Sequence, residues 1–266
     1  MNGVLSALIL TLIAGSATGI GGALVLFKKQ VSSKFLAGAL GLSAGVMIFI
    51  SLAEMFPEAQ AMIEGTGIAH GRTLILIAFF VGMGLITLID FLIPEYENPH
   101  EASELSLSST DTHSLHRLGI MSALAIAVHN FPEGVATFIG SLNDAQMGAG
   151  ITFAISIHNI PEGIAVAIPI YYATKSKGKA LLYATLSGMS EVIGAVLCLV
   201  VTAVFGIELT GNGPVFPLIM SAVAGIMIFI SLDELLPTAE KYGKHHIAIA
   251  GVVGGMAIMG ISLLIM

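Results

Sequence analysis

One six-residue stretch occurs twice in this chain. Residues 129–134 read His-Asn-Phe-Pro-Glu-Gly, and residues 158–163 read His-Asn-Ile-Pro-Glu-Gly. Each copy lies inside an otherwise apolar run that is long enough for a membrane helix. Because a charged side chain at the centre of a bilayer costs at least about 2.5–3.5 kcal/mol, these polar residues need a compensating partner. We therefore expect the fold to be organised around the helices that carry the two copies.

The composition indicates an integral membrane protein. Of the 266 residues, 56% are hydrophobic and 10% are charged, and the mean hydropathy is +0.95. The net charge of -7 says little about partners, because acids and bases are segregated along the chain. The single cysteine, Cys198, can form no internal disulfide and provides no cysteine-based metal site. We expect it to be a small core residue.

Eight apolar runs predict eight transmembrane helices in one domain, residues 1–266. The polar segment between the third and fourth runs, at about 95–116, is predicted to be a flexible cytoplasmic loop. Its histidines, His100, His113 and His116, either bind metal weakly or are simply solvated. The eight runs cover about 4–27, 33–57, 72–94, 117–141, 146–173, 179–206, 213–238 and 244–266.

The basic residues predict the orientation. If the N-terminus is outside, nine of the ten Lys and Arg residues lie at cytoplasmic connections, as the positive-inside rule requires, and only Arg72 does not. No basic residue precedes the first run, which favours a retained span over a cleaved signal peptide. We therefore predict a multi-pass protein of the cell membrane with both termini extracytoplasmic.

A second repeat predicts the arrangement of the helices. Residues 44–54, AGVMIFISLAE, match residues 224–234, AGIMIFISLDE, at an offset of 180, and Pro57 and Pro237 keep that offset. These residues fall on the second and seventh spans, which cross the membrane in opposite directions. The predicted fold is thus an all-α membrane protein in a 3+2+3 arrangement, in which an inverted repeat of spans 1–3 and 6–8 surrounds spans 4 and 5.

Both copies of the six-residue stretch fall near the bilayer midplane, and so does Glu191 on the sixth span. Histidine and glutamate at i, i+4 share one helix face. Proline is expected to kink each helix, and Gly134 and Gly163 are expected to let the two helices approach each other. The candidate metal ligands are His129, Asn130, Glu133, His158, Asn159, Glu162 and Glu191.

Imidazole, carboxylate and amide ligands without a thiolate favour Zn²⁺, Fe²⁺, Mn²⁺, Co²⁺, Cd²⁺ or Ni²⁺. Seven candidates exceed the four ligands that one zinc ion normally takes, so we expect two adjacent ion positions. The alternative is interhelical hydrogen bonding between histidines and protonated glutamates. The first position would use His129, Glu133, His158 and Glu162, and the second Asn130, Glu133, Asn159, Glu162 and Glu191.

Four further acids lie near the ends of spans. Glu54 is near the outer end of the second span, whereas Asp90, Asp233 and Glu234 are near cytoplasmic ends. They are either entrance and exit residues of a transport pathway or ordinary interfacial acids.

The paired six-residue stretches and the Ser-x-x-Glu of spans two and seven resemble the ZIP (Zrt-/Irt-like) metal transporters, in particular their bacterial ZupT branch. The resemblance covers essentially the whole chain. It implies uptake of divalent metals through a binuclear centre formed by spans 4, 5 and 6, with movement of spans 1, 4, 5 and 6 against the rest. Some branches carry Gln-Asp at the positions of His158-Asn159. Compared with those branches, Asn159 supplies an amide in place of a carboxylate. The resemblance assigns metal binding to the seven candidates, entrance roles to Met47 and Glu54, and release roles to Asp90, Asp233 and Glu234.

The leading hypothesis is a secondary transporter, not an enzyme, which carries metal ions as cargo and needs no prosthetic group. A metal-selective channel is one alternative, and an intramembrane metallohydrolase is another. Such hydrolases typically use His-Glu-x-x-His, a string that this sequence lacks. The expected partners are divalent metal ions and the lipid bilayer but no nucleic acid, and a homodimer is left open.

Overall fold

The computed structural model describes residues 2–27, 32–92, 112–206, 213–242 and 245–265. Within these ranges the backbone is helical and forms no strand. The helices are α1 (Asn2–Phe27), α2 (Ser33–Ile50), π1 (Ser51–Met55), α3 (Phe56–Gly65), α4 (Gly71–Leu92), α5 (Thr112–Asn143), α6 (Ala145–Thr174), α7 (Lys177–Phe205), α8 (Val215–Ile230), π2 (Ser231–Leu235), α9 (Leu236–Tyr242) and α10 (His245–Ile265).

Seven helical segments in the described part of the chain are long and apolar enough to cross a membrane. The all-α membrane class is therefore confirmed, although seven segments rather than eight meet that requirement. Helix α5, which carries the first six-residue stretch, is not among them, but its 32 residues extend about 48 Å at 1.5 Å per residue. The seven segments are Gly3–Leu24, Ser33–Gly65, Gly71–Phe91, Ala145–Tyr171, Lys177–Phe205, Val215–Lys241 and His245–Leu264.

Most helix ends lie close to those that the sequence patterns predict. Helix α6 begins after Asp144, whose Oδ1 accepts the Met147 N–H at 2.8 Å, and this side chain caps the helix. Two ends differ: the second run is predicted to end at about 57, but helix continues through α3 to Gly65, and α5 begins at Thr112, so residues 112–116 of the predicted polar loop are helical. The rest of that loop, with His100, lies outside the described residues, and so do the side chains of His113 and His116.

The helices pack as two sets. Helices α1, α5, α6 and α7 all contact one another and form a four-helix group. In the other set, α2 packs along α10, and α4 packs along α8. The two sets meet chiefly where α2 lies against α6, and also where α5 lies against α8. Both copies of the six-residue stretch are therefore in the four-helix group, and α2 is their main neighbour from the other set.

The glycines of the two stretches do not bring α5 and α6 together, and that prediction was wrong. A Cβ atom at Gly134 would overlap the backbone of Glu191 in α7, and a Cβ atom at Gly163 would overlap the backbone of Thr18 in α1. Each glycine instead allows its helix to approach a different neighbour. Sequence spacing placed the glycines on a helix but could not show which neighbouring helix faces them.

These close contacts are related in pairs. The contact of Gly134 with position 191 corresponds to that of Gly163 with position 18, since 163 minus 134 is 29 and 191 minus 18 is 173. The contact of Gly194 with Phe131 corresponds to that of Gly21 with Ile160 by the same offsets, since 194 minus 21 is 173 and 160 minus 131 is 29. Helix α1 is thus packed on α6 as α7 is packed on α5.

The other set of helices shows the same kind of relation. Gly45 in α2 contacts the backbone of Val252 in α10, and Gly225 in α8 contacts the backbone of Phe79 in α4. The offsets are 180 for the glycines (225 minus 45) and 173 for their partners (252 minus 79). The value of 180 equals the offset of the sequence repeat.

The repeated Ser-x-x-Glu segments also share an unusual backbone. Both π1 and π2 are five-residue π-helices, and they are 180 residues apart (231 minus 51). Segments of this kind are rare and occur frequently at functional sites. Each packs against the helix of the opposite repeat, π1 on α8 and π2 on α2. The sequence match therefore extends to conformation and packing.

Helix α4 provides a test of the close packing. Gly82 faces the backbone of Ala222 with no room for a Cβ atom, whereas Gly84 on the same helix has nothing within 4 Å. We expect Gly82→Ala to destabilise the protein by about 1–3 kcal/mol, as overpacking does. The control Gly84→Ala should change stability by less than about 1 kcal/mol. Thermal stability in detergent, followed by size-exclusion chromatography, measures both, and equal melting temperatures would contradict the packing.

Candidate metal centre

Six of the seven predicted ligands have described side chains, and each exposes 1% or less of its surface. Polar groups buried to this degree are costly unless they are paired or bind an ion. The seventh, His129, lies in α5, and its side chain is outside the described part. The six are Asn130, Glu133, His158, Asn159, Glu162 and Glu191.

The two six-residue stretches meet through a carboxylate and an imidazole. Glu133 Oε2 on α5 is 3.3 Å from His158 Nε2 on α6. The other carboxylate oxygen, Glu133 Oε1, is buried and has no hydrogen-bond partner among the described residues. A carboxylate with one open oxygen beside an imidazole is a pair that a divalent transition metal can bind.

The two asparagines are oriented by backbone carbonyls. Asn159 Nδ2 donates to the carbonyl oxygen of Ala14 at 2.9 Å and to Glu191 Oε1 at 2.5 Å. Asn130 Nδ2 donates to the carbonyl oxygen of Ser187 at 3.5 Å. The two carbonyls correspond in the repeat, since 187 minus 14 is 173. Because both amide nitrogens are used in this way, the amide oxygens are the atoms left for a ligand.

Glu191 joins the cluster from α7. Its Oε1 accepts the bond from Asn159, and its carboxylate is close enough to Glu133 and Glu162 to interact with them electrostatically. Carboxylates that are buried close together repel one another when ionised. A bound cation would offset that repulsion.

Four buried oxygen atoms of this cluster have no hydrogen-bond donor in the described part of the chain. A buried acceptor left without a partner costs about 1–3 kcal/mol, and more if it is charged. All four belong to residues of the predicted second ion position, and a single kind of partner, a cation, would satisfy them all. The atoms are Asn130 Oδ1, Glu133 Oε1, Asn159 Oδ1 and Glu191 Oε2.

The structure does not gather three acidic, histidine or cysteine side chains into one metal-holding group among the residues that it describes. It brings together Glu133 with His158, and Asn159 with Glu191. The predicted first position needs His129, whose side chain is not described, and the second relies on amide oxygens as well as carboxylates. The seven-ligand assignment therefore stays a prediction.

Besides the backbone carbonyls of Ala14 and Ser187, sequence reasoning missed a side chain that contacts the cluster. Ser43 on α2 is fully buried, and its Oγ lies 3.3 Å from Glu162 Oε1 and 3.4 Å from the carbonyl oxygen of His158. A signal was available, because Ser43 is four residues before Met47 and so shares the helix face of a predicted pathway residue. No other sequence feature distinguishes a single serine in an apolar helix as a functional residue.

A cavity of about 580 Å³ lies beside π1, α3 and the connection between α5 and α6. Glu54, the predicted entrance residue, lines it together with Glu58 and Asp144, which the sequence did not single out. Its wall also carries methionines, among them Met55 and Met147. The cavity is thus both acidic and rich in soft sulfur ligands.

The other predicted pathway residues are spread over the fold. Met47 is fully buried and is not part of the cavity wall. Asp90 is half-buried near the end of α4, and Asp233 and Glu234 are half-buried in π2. Glu54 and Glu234 thus occupy the same position in π1 and π2, the two π-helices of the repeat.

Comparison with known proteins agrees with this picture. The family model of ZIP zinc transporters matches residues 94–263. The chain is 49% identical over 282 residues to the zinc transporter ZupT of Clostridium perfringens, and the match covers 100% of this chain and 97% of the relative. It is 51% identical over 261 residues to the zinc transporter ZupT of Streptococcus mutans, with 98% and 97% covered. The zinc transporter ZupT of Chlorobaculum parvum is 49% identical over 269 residues, with 99% and 98% covered.

The first of these matches extends over all the helices described above, including α1–α4, which precede the region of the family model. Together with the seven apolar helices, they identify a multi-pass membrane protein. The chain belongs to the ZIP zinc transporter family, whose members are transporters and not enzymes.

Proposed function

We propose that this chain takes up divalent transition-metal ions, zinc among them, into the cytoplasm by alternating access past the buried cluster. One observation carries the proposal: four buried oxygens from three helices have no hydrogen-bond donor in the described structure, and a bound cation would satisfy all four. The relatives at 46–51% identity are named as zinc transporters, which agrees with this cargo. The metal is bound and released as a substrate, without a prosthetic group.

The proposed architecture is one transporter unit of eight spans in a 3+2+3 arrangement, with α5 as the eighth span. Three observations support it: the sequence match at an offset of 180, the paired π-helices, and the paired glycine contacts. Spans on the two sides of α5 and α6 correspond at offsets of 173 or 180, and α5 corresponds to α6 at 29. An inverted repeat around two central helices accounts for all of these offsets.

Two adjacent ion positions are proposed to share Glu133 and Glu162. The first takes imidazole nitrogens together with carboxylates, and the second takes only oxygens, from amides and carboxylates. The second position holds the four donor-free oxygens, and its two asparagines are held by matched backbone carbonyls. Nitrogen and oxygen ligands without thiolate suit Zn²⁺, Fe²⁺, Mn²⁺, Co²⁺ and Cd²⁺.

The proposed movement is that of the four-helix group against the other set. Helices α1, α5, α6 and α7 pack closely on one another, and all the described ligands lie on three of them. Because this four-helix group contains the candidate ligands, it can move past α2 and α8 while the ligands keep their positions relative to one another. Ions would enter through the acidic cavity that Glu54 lines, pass the buried Met47, and leave past Asp90, Asp233 and Glu234.

The proposed location is the cell membrane, with both termini outside. The positive-inside rule supports this orientation, since nine of the ten basic residues then lie on the cytoplasmic side. A metal-selective channel is the remaining alternative, and uptake that saturates at low metal concentration with slow turnover would exclude it.

Metal flux tests the assignment of the cluster. In liposomes that contain the purified protein, we expect Zn²⁺ uptake to be abolished in Glu133→Ala and in Glu162→Ala, because each removes a carboxylate that both ion positions share. Uptake should be unchanged in the control Glu64→Ala, since Glu64 is exposed and pairs with Arg72. Flux at the parental rate in both cluster variants would refute the proposed site.

Equilibrium binding tests the two ion positions. We expect two Zn²⁺ ions for each chain in detergent and close to one in Glu191→Gln, because this change removes a charge from the second position only. The control Glu240→Gln, at an exposed residue that pairs with His245, should keep both ions. Elemental analysis after dialysis counts the bound metal, and a single ion in the parent protein would contradict the binuclear proposal.

Labelling in intact cells tests the orientation. In a Cys198→Ala background, the variant Lys177→Cys should resist a membrane-impermeant maleimide, because the α6–α7 connection is assigned to the cytoplasm. The variant Arg72→Cys should react, because Arg72 is the one basic residue assigned to the outside. Labelling of both positions after lysis is the control, and the reverse pattern in intact cells would invert the topology.

A further inference from the structure

Ser43 uses its hydroxyl group differently from most serines whose hydrogen bonds are described in these helices. A helical serine commonly donates to a carbonyl of its own preceding turn. Several do so here at 2.6–2.7 Å, to the carbonyl four residues earlier. Ser43 instead donates outside its own helix, from α2 to α6. The serines with local bonds are Ser16, Ser141, Ser156 and Ser231.

Both acceptors of Ser43 belong to the candidate metal centre. Its Oγ is 3.3 Å from Glu162 Oε1 and 3.4 Å from the carbonyl oxygen of His158. Both distances exceed the usual value of about 2.8 Å for a hydroxyl donor, as expected when one hydrogen is shared between two acceptors. Ser43 is fully buried, so the side chain has no access to solvent that could compete for its hydrogen.

This contact crosses between the two sets of helices. Ser43 belongs to α2, which packs along α10, whereas Glu162 belongs to the four-helix group. The position that corresponds to Ser43 in the repeat is Val223 (223 minus 43 is 180), which has no hydroxyl group. Only one repeat therefore supplies a hydroxyl donor at this position. Glu162 accepts a hydrogen bond from it, whereas the corresponding position of the other repeat can offer none to Glu133.

We propose that Ser43 is a positioning residue for the transported ion: its hydroxyl group fixes one oxygen of Glu162 and ties that ligand to α2. The inference rests on the proposed function, because it takes Glu162 as a metal ligand. Carboxylate ligands are themselves usually hydrogen-bonded, and loss of such an outer partner typically costs about 10–100-fold in metal affinity. Ser43 thereby raises the affinity for metal in the conformation that has α2 against α6.

Zn²⁺ uptake and Zn²⁺ binding in Ser43→Ala test this role. We expect the KM for uptake to rise at least about tenfold, the dissociation constant to rise in parallel, and the maximal rate to stay within about twofold. Ser43→Thr keeps the hydroxyl group and should therefore have the KM of the parent protein. The matched control is Ser221→Ala, because Ser221 is equally buried and donates between helices, from α8 to the carbonyl oxygen of Ile75 in α4 at 2.8 Å, away from the cluster.

The outcomes separate the inference from the proposed function. If Glu162→Ala abolishes uptake while Ser43→Ala keeps the parental KM, the positioning role is wrong and the proposed site stands. A rise in KM that is equal in Ser221→Ala would reduce Ser43 to a packing residue and would overturn the inference. If Glu162→Ala transports normally, the proposed site fails and the role of Ser43 fails with it. Melting temperatures in detergent establish that each variant is folded.

Discussion

The structure depends on the compensation of polar groups that are buried in the centre of an apolar bundle. Three glutamates, two asparagines and a histidine have almost no exposed surface, and several of their oxygens have no donor in the described structure. Each such group opposes folding unless something satisfies it. The partners that the structure does provide include backbone carbonyls of α1 and α7, which orient the two asparagines and leave their amide oxygens open, and a serine of α2, which donates to Glu162.

That arrangement is possible only because the surrounding helices approach very closely. The helix carrying Glu133 touches α7, and the helix carrying Glu162 touches α1, at glycines where a Cβ atom would overlap the opposing backbone. In a membrane, where apolar surface gains little from leaving lipid, such contacts between backbones drive helix association. The same contacts place carbonyl oxygens within reach of Asn130 and Asn159, so packing and ligand orientation have one origin.

The internal repeat gives the site two related halves, but the halves are not equal. Glycine contacts, asparagine contacts and π-helices are all matched between the halves. The differences fall at a candidate ligand and at the residue beside another: position 191 is glutamate where position 18 is threonine, and position 43 is serine where position 223 is valine. A symmetric arrangement of helices with unequal candidate ligands suits a transporter. Such a protein opens to either side of the membrane by related movements and binds the ion at a defined position between the two sides.

The sequence by itself determined the helical class, most helix ends to within a few residues, the repeat between π1 and π2, and the identity of the buried candidates, because hydropathy and residue type are local properties. It could not determine which faces meet. The partners of Gly134 and Gly163, the bond from Ser43 to Glu162 and the carbonyls that orient the asparagines join residues that are distant in the chain. Only tertiary packing decides such contacts, since a helical pattern defines a face and not the neighbour that covers it.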